Sequence, residues 1–141
     1  MKHEVSKSDL EFLSAFEAGA YAPADFSHRA HVRLAYVYLA TNDVERATTL
    51  MRGAIINFLR HHGITPTRYH ETLTQAWVLA VFHFMHRTTS ALSADDFIDR
   101  TTILLDSHIM HTHYSADRLF SPAARAAFVQ PDLQPIPRHA A

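Results

Sequence analysis

Cysteine is absent from the 141 residues, which excludes disulfides, thiolate metal sites and thiol nucleophiles. Glycine occurs three times, too rarely for a phosphate-cradling loop or a dinucleotide fingerprint. Gly-x-Ser-x-Gly is missing as well, so serine catalysis finds no support. Neither charge sign dominates: 13 Lys and Arg stand against 14 Asp and Glu, which leaves no electrostatic footprint for nucleic acid. The longest apolar run, "AWVLAVF" from Ala76 to Phe82, falls far short of the ~20 residues that span a bilayer. The opening "MKHEVSKSDLEFL" lacks the apolar stretch of a signal peptide. The expectation is a cytoplasmic protein with neither nucleic-acid nor membrane partners.

What the chain does have is helical periodicity and 12 histidines spread from His3 to His139. One domain over residues 1–141 is expected. It divides into an N-terminal helix and connector (1–24), histidine-bearing core helices (25–112) and a C-terminal strap (113–141). Ser8 and Glu11 fit a capping box for the first helix, which ends at Gly19. The second starts near Asp25 or Ser27 and runs to about Ala40; the third follows Asn42-Asp43 and stops at Gly63. The fourth runs from near Thr67 to about Arg87 and is apolar almost all round, so it should be the most buried. A fifth, capped by Ser93 and Asp96, reaches about Met110; Ser121-Pro122 opens a short helix before the proline-spaced tail "QPDLQPIPRHAA". The class is all-α: an up-and-down bundle of four to five helices with a short C-terminal helix and an extended wrapping tail.

"FSHRAHVRLA" sets His28 and His31 on one inward face of the second helix. In "RYHETLTQAW", His70 shares a face with Thr74 and Trp77, while Glu71 turns toward an apolar flank where it needs a partner. If the helices alternate in direction, the heads of the second and fourth share one end of the bundle, and His28, His31 and His70 converge there. Three imidazoles make a standard face for a divalent transition metal: zinc, iron, copper or nickel. A fourth position is then open to water, oxygen or a small-molecule substrate. Glu71 serves as catalytic base, as support for a ligand ring, or as a fourth ligand. Tyr69, Thr74, Trp77, His108, His111 and Tyr114 are candidates for the surroundings of the metal or for a pocket. Arg125 in the strap is a candidate for an anionic substrate. His61 and His62 suit a helix C-terminus, and His83 and His86, among Phe82, Phe84 and Met85, suit packing or surface.

The segments "FSHRAHVRLA", "RYHETLTQAW" and "YSADRLFSPAARAAFVQPDLQPIP" resemble a family of small, largely uncharacterised bacterial proteins. That family shares a Phe-x-His-x-x-His segment, a Tyr-His-Glu-Thr segment and a Pro-Asp-Leu-x-Pro tail. The likeness spans roughly residues 26–137 and matches at Phe26, His28, His31, Tyr69, His70, Glu71, Thr72 and Thr74. It implies no reaction. The architecture is also similar to DinB-like bundles, which hold a divalent metal with three histidines at a different spacing. Together these readings give a metalloenzyme, hydrolytic or oxidative, with a homodimer an allowed assembly. The alternatives are a metal- or pH-responsive binding module and a helical interaction protein whose histidines are structural.

Overall fold

Ser6, not Ser8, opens the first helix in the computed structural model, which describes residues 2–139. The helices are α1 (Lys7–Glu17), α2 (His28–Thr41), α3 (Val44–His61), α4 (Glu71–Arg87), α5 (Ala94–Arg100), α6 (Ala116–Leu119) and α7 (Pro122–Ala126), with 3-10 turns between them. No strand occurs among the described residues, and the all-α class holds. The Ser6 hydroxyl accepts from the Asp9 N–H and the Asp9 carboxylate accepts from the Ser6 N–H, a reciprocal cap. Ser8 and Glu11 have the same spacing, but Asp9 has more to do. It is buried, and it also receives the Ala94 N–H at 2.9 Å and Arg33 Nε at 3.1 Å. One carboxylate thus starts α1, starts α5 and pairs with α2. Burial works against its ionisation, and these donors more than offset that, so its pKa lies below the ordinary carboxylate value.

Ser27 and Asp43 cap α2 and α3 as the sequence suggests, accepting from Ala30 and Arg46. α3 ends through Gly63, whose φ of +67° closes the last turn without a Cβ penalty. Two further boundaries differ from expectation. Pro66–Arg68 form a separate 3-10 turn, so α4 begins four residues after Thr67, behind His70 as its cap. α5 stops at Arg100 rather than Met110. Thr101 leaves the helical region and bonds its hydroxyl back to the Phe97 carbonyl at 2.8 Å. Threonine offers that local alternative to helix continuation. The residues beyond wind into the turns Thr102–Leu105 and Ile109–Thr112.

α4 is walled by α2, α3 and α7, and α1 packs on α2 and α3. Val32, Leu34, Ala35 and Tyr36 of α2 and Ala76, Val78 and Val81 of α4 are all buried in the centre. Phe16 and Phe58 stack at 4.6 Å between α1 and α3. Gly19 follows α1 with φ +75°, and a Cβ there would lie 2.5 Å from the His61 ring, so both backbone and space demand glycine.

The strap is fastened along its length. Buried Thr72 of α4 donates to the Ala127 carbonyl and accepts from the Val129 N–H. The Tyr114 hydroxyl donates to the Val129 carbonyl at 2.6 Å, Asp132 accepts two bonds from Ser115, and Ile136 is buried in the core.

Candidate functional site

His70 is the cap of α4, and that role occupies its ring. With φ −133° and ψ 105° it stands outside the helix, and its Nδ1 accepts from the Leu73 N–H at 3.1 Å. Nδ1 therefore carries the lone pair and Nε2 the proton, which it donates to the Leu119 carbonyl at 2.7 Å. Neither nitrogen has a lone pair left for a metal. Burial, ahead of the other causes, keeps the ring's pKa below the ordinary histidine value. Thr74 sits where a second histidine of a zinc-hydrolase helix would be. Its hydroxyl donates to the His70 carbonyl at 2.9 Å.

His28 opens α2, donates from Nε2 to the Leu104 carbonyl at 2.8 Å and meets Trp77 edge to face at 4.5 Å. His31 lies beside it, ring centroids 6.3 Å apart, against Phe26 at 6.0 Å. Burial and the neighbouring His28 push the His31 pKa down to about 4, so it is neutral at pH 7. His28 and His31 come together as the sequence implies; His70 is committed to a different partner. Among the described residues no group of three or more His, Asp and Glu side chains is placed to hold a metal ion. His108 and His111 stack on one another, exposed, at 6.1 Å. Tyr114 is fully buried as a strap anchor.

Glu71 finds the partner that its apolar flank requires, and the partner is Arg52 of α3. The guanidinium donates Nε to Oε1 at 2.8 Å and Nη2 to Oε2 at 2.6 Å, a side-on fork. The Tyr69 hydroxyl donates to Oε1 at 2.7 Å and Gln75 donates to Oε2. Burial raises the carboxyl's pKa, but Arg52, Gln75 and Tyr69 outweigh it and bring it down to about 2. A carboxylate so saturated and so acidic is a poor proton acceptor, and the role of base does not suit it. Gln75 lies one turn beyond Glu71 on α4, a spacing readable from sequence. Arg52 is not readable, because it arrives from another helix.

This network floors an open cleft of about 770 Å³ between α3, the turn Pro66–Arg68, the head of α4 and α7 with the strap. Ile56, Pro66, Pro122 and Phe128 give it apolar walls. Arg125 stands at its rim. Its Nη1 donates to the carbonyls of Thr67, at 2.9 Å, and Tyr69, at 3.4 Å. Those two bonds fix the guanidinium plane and leave the Nε/Nη2 edge uncommitted. No carboxylate among the described residues pairs with Arg125. The sequence also names Arg125 as a candidate for an anionic substrate.

No protein family, curated protein or solved structure matches this chain.

Proposed function

We propose that this protein is a small-molecule binding module whose ligand is an organic anion with an apolar body. The observation that carries the reading is Arg125: a half-buried guanidinium lining the cleft, held by two carbonyls through Nη1, with its Nε/Nη2 edge uncommitted. That edge matches a carboxylate or phosphate oxygen pair. The apolar walls suit the ligand's body, and the volume fits a molecule of cofactor or metabolite size. Glu71 and Arg52 neutralise one another and give the cleft its floor.

Calorimetric or NMR titration with a panel of aryl and alkyl carboxylates and phosphate monoesters tests this. Binding is expected to weaken about tenfold or more in Arg125→Gln, with less loss in Arg125→Lys. Full affinity in Arg125→Gln, or no binder in either class, sinks the proposal.

The metalloenzyme reading asks more of the same residues. His28 would surrender its bond to Leu104, and His70 both its cap to Leu73 and its bond to Leu119. His31, neutral and with no ring hydrogen bond, is the one member of the triad that favours it. Elemental analysis of untagged protein decides: about one equivalent of zinc, iron, copper or nickel, lost in His31→Ala, would restore that reading.

A further inference from the structure

At the opposite end of α4, three histidines meet in another way. His139 of the strap places Nε2 2.8 Å from Nδ1 of His83. Its ring stacks on both α4 histidines, with centroids 5.1 Å from His83 and 4.5 Å from His86. Phe82 closes the group, edge to face on His86 at 4.4 Å. The charged groups that shift the His83 and His86 rings are basic, while Glu4 follows His3 in the N-terminal segment. Arg87 belongs to α4, Arg138 to the strap, and Lys2 and His3 to the N-terminal segment. No carboxylate among the described residues is paired with any of the three rings.

Two imidazoles share a hydrogen bond only if one presents N–H and the other a lone pair. Protonating both facing nitrogens abolishes the bond, and stacked imidazolium rings repel. No carboxylate among the described residues is paired with a ring to offset that repulsion. Burial and the neighbouring His139, Arg87 and His86 lower the His83 pKa; burial, His139 and His3 lower that of His86. The neutral, assembled state is thus favoured above the ordinary histidine pKa of about 6.5, and its advantage fades as pH falls.

The next residue back along the chain links this cluster to the cleft. Arg138 holds its guanidinium over the Phe128 ring at 5.7 Å, and Phe128 is a wall of the anion cleft. Arg138 also lines two neighbouring cavities of about 550 and 340 Å³. The larger shares Arg52 and Gln75 with the cleft, and the smaller shares Phe128. Arg138 thus stands between the two smaller cavities and reaches the cleft through Phe128.

We propose that His139, seated between His83 and His86, is a proton-released latch that keeps Arg138 over Phe128 and closes the cleft along the strap. Its significance for ligand binding rests on reading the cleft as an anion site; the latch itself does not. Below the histidine range the strap's end lets go, Arg138 leaves Phe128, and a fixed cation becomes a mobile one beside an enlarged groove.

The test uses the full chain without ligand. Histidine ring signals, the Phe128 ring and the Arg138 side chain are followed by NMR from pH 8 to pH 5. In the wild type the His83 and His86 midpoints are expected below 6.5, with the Phe128 and Arg138 signals moving through the same transition. In His139→Phe, which keeps a stackable ring and removes the proton site, the Phe128 transition is expected to vanish. The His83 and His86 midpoints should then rise toward 6.5. Stationary Phe128 and Arg138 signals in the wild type, or an unchanged transition in His139→Phe, would overturn the latch. Because no ligand is present, that failure leaves the Arg125 titration standing, and failure of the Arg125 titration leaves the latch readable.

Discussion

The two ends of α4 use histidine in opposite ways. At its head, His70 bonds to the backbone at both nitrogens, so one tautomer is fixed and a proton has nowhere to go. At its foot, His83 bonds to another histidine, and the arrangement depends on how many protons the pair holds. Backbone carbonyls are permanent acceptors and N–H groups permanent donors; an imidazole can be either. The first arrangement is built for rigidity and the second for response. The side chain is the same at both ends; its partner sets the behaviour.

The largest test of the contrast is His70→Ala. It removes a helix cap, worth ~1 kcal/mol, and strands the Leu119 carbonyl and Leu73 N–H at ~1–3 kcal/mol each where buried. A loss of about 3 kcal/mol is expected, read as a melting temperature lower by about 10 °C. His70→Asn should recover the cap alone, about a third of the loss. An alanine variant within about 0.5 kcal/mol of the wild type would mean that His70 is not structural, and would revive it as a ligand.

Glu71→Gln comes next, beside the rigid end. Breaking a buried pair costs ~3–5 kcal/mol, but Arg52 keeps 39% of its side chain exposed and water recovers part, so about 2 kcal/mol is expected. The acid dependence follows from the carboxyl held at about 2. A depressed carboxylate stabilises fully above its unfolded value near 4.3, and that stabilisation disappears as pH falls through about 2. Urea unfolding at pH 7 and pH 3 should show a smaller pH difference in Glu71→Gln than in the wild type. An identical difference would remove Glu71 as the source.

How much of this was legible follows the same division. The caps at Ser27 and Asp43, the stop at Gly63 and the buried α4 are local signals, and they were readable. The start of α1 was not, because Asp9 was chosen by Ala94 and Arg33, more than twenty residues away. Apolar spacing continues past Arg100 and predicts a longer α5, but Thr101 turns out of the helix. At the site, the sequence put His28, His31 and His70 on inward faces as the ligands of a metal and left Glu71 needing a partner. Each of the carbonyls and cations that satisfy His28, His70 and Glu71 comes from a distant segment: Leu104, Leu119 and Arg52. Inward histidine is visible in one dimension; what it bonds to is visible only in three.

The smallest effect belongs to the responsive end. His83 and His86 are partly or fully exposed at the surface, so water screens most of what their protonation does. His139→Phe should change stability by under about 0.5 kcal/mol at pH 7, far less than His70→Ala. The sign of its pH dependence still separates the two ends. Histidines whose folded pKa is lowered contribute stability above about 6.5 and lose it as pH falls, so the wild type should weaken slightly more than His139→Phe between pH 7 and pH 5. His31 is held down to about 4 and is retained in both proteins, so its share of the acid loss cancels in the difference. Parallel urea curves across that interval would show the rings at the foot of α4 to be as indifferent to protons as His70. The contrast would then reduce to geometry without consequence, since a histidine cluster that neither tightens nor loosens over its titration range regulates nothing.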